Sequence, residues 1–236
     1  MKVLVIPDVH LKPWMFARAS AIIEEGMADR AVCLMDIPDD FKKQFQLELY
    51  VQTYDAAISF ATEYPQTLWC YGNHDLCYVW NRRETGYSVI APRTVCKKLE
   101  ALKKVLPDEK QLAYIHRIGN VLFSHGGLAT SFARQYIPED EYGDVDAVIE
   151  TINGFGCEKM WQDHSPIWYR PQYYGGKLYR EDTFLQVVGH TPVSEITRDK
   201  NLISCDVFSL NRMLRPIGTQ EFPVIDTDTW ECHGVR

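Results

Sequence analysis

The chain has 236 residues, a hydrophobic share of 46% and a formal charge of −7 at pH 7. That is ample apolar material for one α/β core, and the acidic balance argues against strong nucleic-acid binding. Met1 to Ile6 is too short, and too soon followed by Asp8 and His10, to read as a secretory h-region, and no later run reads as a membrane span. The seven cysteines lack paired spacing, so reduced thiols and a cytoplasmic location are expected rather than a disulfide framework.

Lys2 to Ile6 reads as a buried strand that delivers Asp8 and His10 at its C-terminal end. Pro13, the apolar positions from Trp14 to Ile23, and Gly26 predict a helix with proline in its first turn and a glycine stop. Ala31 to Met35 is the second strand and delivers Asp36. Phe41, Phe45, Leu49, Ile58 and Ala61 then mark a long amphipathic helix. Thr67 to Tyr71 is the third strand, leading to Asn73 and His74, and strands alternating with helices imply a largely parallel sheet.

Segments 113–118 and 120–124 flank Gly119-Asn120 as a hairpin feeding His125. Segments 185–188, 201–204 and 222–225 predict further strands, the first leading to His190 and the last closing a second sheet with antiparallel features. The expected architecture is α/β: a two-sheet β-sandwich flanked by helices, within a single domain spanning 1–236. Residues 76–110 and 131–182 read as insertions, placed like lids or substrate walls.

Five strand ends thus offer ligating side chains, in Asp8-Val9-His10, Asp36-Ile37-Pro38-Asp39, Gly72-Asn73-His74-Asp75, Ser124-His125-Gly126-Gly127 and Gly189-His190-Thr191-Pro192. In extended backbone, residues i and i+2 share a side, so Asp8 and His10 can hold one ion together with Asp36 from the neighbouring strand. Asn73, His125 and His190 can hold a second ion that shares Asp36. Mixed imidazole and carboxylate donors favour Mn, Fe or Zn over Ca or Mg. Gly126-Gly127 and Thr191-Pro192 read as backbone devices that permit close approach and sharp turns.

In this ordered set from Asp8 to Asp206 the chain resembles the calcineurin-like metallophosphoesterases. The nearest type is the phosphoprotein phosphatases, with the related bacterial and phage phosphatases and the symmetrical dinucleoside tetraphosphatases. The resemblance implies a four-layer fold, two ions held by Asp8, His10, Asp36, Asn73, His125 and His190, and in-line attack on phosphorus by a bridging hydroxide. It also implies that His74 protonates the leaving oxygen and that Asp39 orients His74. Trp168-Tyr169-Arg170 resembles a segment of the phage and dinucleotide-cleaving relatives, which makes Arg170 a phosphate clamp. Asp206 matches a strand-end aspartate with a supporting rather than ligating role.

Three positions depart from the family pattern. Pro7 and Met35 stand where it has glycine, and Asp40 stands where the phosphoprotein phosphatases have a phosphate-binding arginine. A carboxylate there repels a phosphomonoester dianion unless a cation answers it, and Arg82 or Arg83 is the expected cation. The expected substrate is a phosphorylated small molecule or nucleotide, with tyrosines and tryptophans between 136 and 179 mostly packing and one or two available to stack on a base. A protein serine/threonine phosphatase and a phosphodiesterase are the alternatives within the class. A catalytically silent binding scaffold is the alternative outside it, and the presence of His74 with every expected ligand counts against that reading.

Overall fold

In the computed structural model, which describes residues 1–236, eleven strands and eight α-helices build two stacked sheets with helices outside both. The first sheet begins with β1 (Lys2–Ile6), followed by α1 (Trp14–Glu24), β2 (Arg30–Cys33), α2 (Leu47–Glu63) and β3 (Leu68–Cys70). The chain continues through α3 (Asn73–Val79), α4 (Pro92–Val105), a 3-10 turn at Glu109–Gln111 and the short β4 (Leu112–Ala113). The hairpin of β5 (Ile115–Ile118) and β6 (Val121–Ser124) opens the second sheet, and Gly119 takes the left-handed turn position at φ +58°.

Four helices follow: α5 (Thr130–Tyr136), α6 (Val145–Asn153), α7 (Cys157–Met160) and α8 (Pro171–Tyr174). Then come β7 (Leu185–Pro192), β8 (Thr197–Asp199), β9 (Leu202–Asp206), β10 (Phe222–Asp226) and β11 (Cys232–Val235). The sheet orders are β11-β10-β1-β2-β3-β4 and β5-β6-β7-β9-β8. The central strands have two buried faces, so their residues alternate between two cores, whereas the edge strands β8 and β11 are largely exposed. Val3, Val5, Val32, Phe123, Val187, Ile203 and Ile225 fill the space between the sheets. Leu4, Ile6, Cys33, Phe222 and Val224 face α1 and α2, whereas Leu122, Val188 and Leu202 face the second helical layer.

Four sequence expectations change. β10 does not close the second sheet; it pairs antiparallel with β1 and sends Val224 to the α1–α2 side. The second sheet is less antiparallel than expected, because β6–β7 and β7–β9 are parallel. The second helix starts at Leu47 rather than near Phe41, since Asp39 (φ +65°) and Lys42 (φ +60°) hold the preceding chain outside helical geometry, and Phe45 is 76% exposed.

The supposed insertions are largely framework. In 76–110, α4 buries Val95, Leu99 and Leu102 in the first helical core. In 131–182, Phe132, Val148 and Ile152 cover the outer face of the second sheet.

Candidate active site

Beyond the ends of β1 and β2 the two chains stay in register. Val9 N–H donates to Met35 O (2.9 Å), His10 N–H to Asp36 O (2.8 Å) and Leu11 N–H to Ile37 O (3.0 Å). This extension of the parallel ladder carries Asp8, His10 and Asp36 to one place. His10, Met35, Asp36, Asp39 and His190 all have positive φ. Such backbone costs about 1–3 kcal/mol per residue and concentrates where side chains must converge. Met35, at φ +54°, occupies without glycine a conformation that glycine favours.

The six expected ligating residues come together. Asp8, His10 and Asp36 form one group with their donor atoms within 4.8 Å of one another, and Asp36, His125 and His190 form another. Asn73 Oδ1 lies 3.1 Å from His125 Nε2, which is also 3.1 Å from His190 Nδ1. Asp36 divides its oxygens. Oδ1 accepts from His74 N–H at 2.9 Å, whereas Oδ2 lies 3.2 Å from His125 Nε2 and 3.9 Å from His10 Nε2.

Backbone carbonyls select the ring nitrogens that face this centre. His125 Nδ1 is 2.9 Å from Leu34 O, and His10 Nδ1 is 2.9 Å from Asp39 O, which leaves Nε2 of each ring toward Asp36. Asp8 Oδ1 accepts from His190 N–H at 2.9 Å, while Asp8 Oδ2 and His190 Nε2 are buried with no hydrogen-bond partner. Gly72 and Gly189 allow the approach: a Cβ at Gly72 would stand 2.0 Å from Asp36 Oδ1, and one at Gly189 2.1 Å from Asp8 Oδ2.

The electrostatics ask for positive charge. Burial, reinforced by Asp206, raises the Asp8 carboxyl well above its ordinary range. Burial also opposes ionisation of Asp36, but His125 and His74 outweigh it and hold this carboxyl well below the usual range. Burial disfavours protonated His125, yet Asp36 and Asp8 push it up to about 9. Buried carboxylates, an orphaned carboxylate oxygen and converging imidazole and amide donors fit a bound metal.

Beside this centre, a cavity of about 230 Å³ is lined by His10, Asp36, Asn73, His74, Arg170 and His190, with Asp39, Asp40 and Asp206 also in its wall. His74 Nδ1 lies 3.0 Å from Asp39 Oδ2, and the other Asp39 oxygen accepts from Tyr50 OH (2.7 Å) and Tyr78 OH (2.5 Å). Burial disfavours the His74 cation, but Asp36 and Asp39 outweigh it and push His74 up to about 9. Arg170 Nη1 donates to His190 O (2.7 Å) and Thr191 Oγ1 (3.2 Å). Asp206 accepts from Ser209 N–H (3.2 Å) and Oγ–H (2.8 Å).

Arg82 and Arg83 are exposed and do not line the cavity; their loop contributes Thr85 and Gly86 instead. The tyrosines and tryptophans between 136 and 179 are mostly packing, as expected, but none of them reaches the cavity to stack on a base. Trp161 meets Trp80 and Trp168 edge-on, Trp168 meets His190 edge-on, and no tryptophan or tyrosine lines the cavity.

Sequence reasoning missed several supporting residues. Asp75 accepts from Asp36 N–H (2.8 Å), Ile37 N–H (3.2 Å) and Gly72 N–H (3.1 Å), which fixes the Asp36 loop against α3. Its place inside Gly72-Asn73-His74-Asp75 was the available signal. Tyr50 and Tyr78 look like ordinary buried helix positions, and nothing in the sequence marked Lys12, whose side chain is only 7% exposed.

A family model described as calcineurin-like phosphoesterase matches residues 1–194. Among solved structures, the cold-active protein-tyrosine phosphatase of a psychrophilic Shewanella species is similar in fold: its TM-score is 0.56 at 15% identity, over 100% of this chain and 80% of that one. The protein TT1561 of Thermus thermophilus is similar with a TM-score of 0.50 at 10% identity, over 100% of this chain and 98% of that one. At these identities the likeness shows the fold alone. No curated protein matches the chain. The family model spans both candidate ligand groups, and this chain therefore belongs to the calcineurin-like phosphoesterases, metal-dependent hydrolases of phosphoric esters.

Proposed function

We propose that the chain hydrolyses a phosphate ester or anhydride at a centre of two ions, Mn, Fe or Zn. Asp8, His10 and Asp36 hold one ion, and Asp36, Asn73, His125 and His190 hold the other. The observation that carries this reading is the double approach to Asp36 Oδ2, 3.2 Å from His125 Nε2 on one side and 3.9 Å from His10 Nε2 on the other. When bound, such a pair polarises the phosphoryl oxygens and activates water for in-line displacement.

The chain's own residues complete the reaction. His74 turns Nδ1 to Asp39 and keeps Nε2 for the cavity, where it gives a proton to the leaving oxygen. Asp39 holds the ring and stabilises its cation, and Tyr50 and Tyr78 hold Asp39. Arg170 has one nitrogen committed to His190 O and Thr191, and its remaining guanidinium nitrogens bind the substrate phosphate. The small polar cavity suits a phosphorylated small molecule or a nucleotide held by its phosphate.

A hydrolysis panel with Mn, Fe, Zn, Co and Ni, comparing a monoester, a diester, a dinucleoside polyphosphate and a phosphopeptide, tests the reading. Turnover of at least one substrate in a metal-dependent manner is expected. Complete inactivity with every metal overturns it and favours a silent scaffold.

A further inference from the structure

Asp40 stands in the cavity wall at the position where the resemblance has a phosphate-binding arginine, and two lysines answer its carboxylate. Lys43 Nζ donates to Asp40 Oδ2 at 2.8 Å, and Lys12 Nζ lies 3.8 Å from the same oxygen. Asp40 Oδ1 accepts from Phe41 N–H at 2.7 Å, so both oxygens are engaged. Two ammonium groups face one carboxylate.

The lysines are not equivalent. Lys12 is nearly buried and also donates to His10 O (3.1 Å) and Val9 O (3.4 Å), which fixes it between the loops after β1 and β2. Lys43 is 23% exposed and has a single side-chain partner, Asp40. Neither lysine lines the cavity itself, but Lys43 is bonded to Asp40, which does, and follows Phe41, another wall residue, by two positions, so its flexible stem and remaining N–H donors can reach an anion at that wall. Arg170 also lines the cavity.

We propose that Lys43, seated on Asp40 and backed by Lys12, is the phosphate-binding cation that Arg82 and Arg83 do not supply, and that with Arg170 it selects a terminal, doubly charged phosphate over a diester. The proposal rests on the phosphoesterase reading and names its substrate class. Lys12 is a positioning residue that keeps Asp40 from repelling the substrate.

Steady-state kinetics of Lys43→Met with Mn²⁺, on p-nitrophenyl phosphate and bis(p-nitrophenyl) phosphate, test this together with competitive inhibition by orthophosphate. Loss of one charge-assisted hydrogen bond is expected to lower monoester kcat/KM roughly 10- to 100-fold and to raise the orthophosphate inhibition constant alike. The singly charged diester, less dependent on the cation, is expected to lose about threefold or less. Lys43→Arg is expected to retain most monoester activity.

Arg82→Ala/Arg83→Ala is expected to stay within about twofold, as for exposed charges without a partner. Equal losses on both esters, unchanged orthophosphate inhibition, or a loss in the double arginine variant matching that of Lys43→Met overturns the proposal. Wild-type inactivity on both esters overturns the substrate class proposed here, and inactivity across the whole metal and substrate panel as well overturns the phosphoesterase reading itself. An active wild type with an unaffected Lys43→Met overturns only the lysine assignment.

Discussion

At the residue scale, Asp36 is the pivot. One of its oxygens is tied to His74 N–H and the other faces both ligand groups, and the backbone around it is pinned by Asp75. Gly72 and Gly189 admit these carboxylates at distances no side chain would allow. Gly189→Ala is therefore expected to displace Asp8 and weaken metal binding at least tenfold, read by isothermal titration with Mn²⁺, while destabilising the fold by about 1–3 kcal/mol. His74→Ala is expected to lower kcat by about 10²–10⁴-fold with both ions retained, as loss of a general acid requires; an unchanged rate with metals bound rules out that role. Strand-end aspartates, histidines and Asn73 were legible as a converging set because each follows a short apolar run. Tyr50, Tyr78 and Lys12 were not, because their function lies in where a phenol or ammonium ends up, and helix periodicity or loop composition carries no trace of that.

At the element scale, the site depends on β1 and β2 continuing in register past their ends, and that register depends on the core between the sheets. Phe123 on β6 is fully buried there among Val3, Val5 and Val187. Phe123→Ala is expected to destabilise the protein by about 3–5 kcal/mol, measured as a fall in the urea midpoint at unchanged m-value. β1, β2, β3 and the Gly119 hairpin were readable from sequence, since buried runs and turn residues act locally. The partner of β10 was not, because its pairing with β1 joins residues separated by most of the chain, and alternation shows only that a strand has two faces. The helical register of α2 failed at its start for another reason. The segment before Leu47 resembles an amphipathic turn but is bent by positive φ at Asp39 and Lys42, where the chain serves the site instead.

At the scale of the whole molecule, the two sheets are joined by a histidine as well as by apolar packing. His116 on β5 points its Nε2 at Trp69 O on β3, 3.1 Å away, and burial pushes it down to about 4 from the ordinary 6.5. The unfolded chain binds this proton at a higher pH than the folded one. Stability from neutral His116 is thus complete above about pH 6.5 and is lost as pH falls toward 4. At pH 5 the loss amounts to about 2 kcal/mol relative to pH 7. Urea unfolding of His116→Asn is expected to show a pH dependence flatter than wild type by that amount; parallel profiles would contradict it. No helix is long and apolar enough to cross a membrane, and the acidic residues of the cavity wall sit around the site where cations are expected to gather. The most direct test is a Mn²⁺ titration of metal-free protein that follows bound metal per chain and hydrolysis rate together, beside Asp36→Ala. Two ions per chain in the wild type, activity complete only when both are bound, and loss of metal and activity together in Asp36→Ala are expected. Full activity with a single ion, or an Asp36→Ala variant that keeps both ions and its rate, would contradict a centre shared through Asp36.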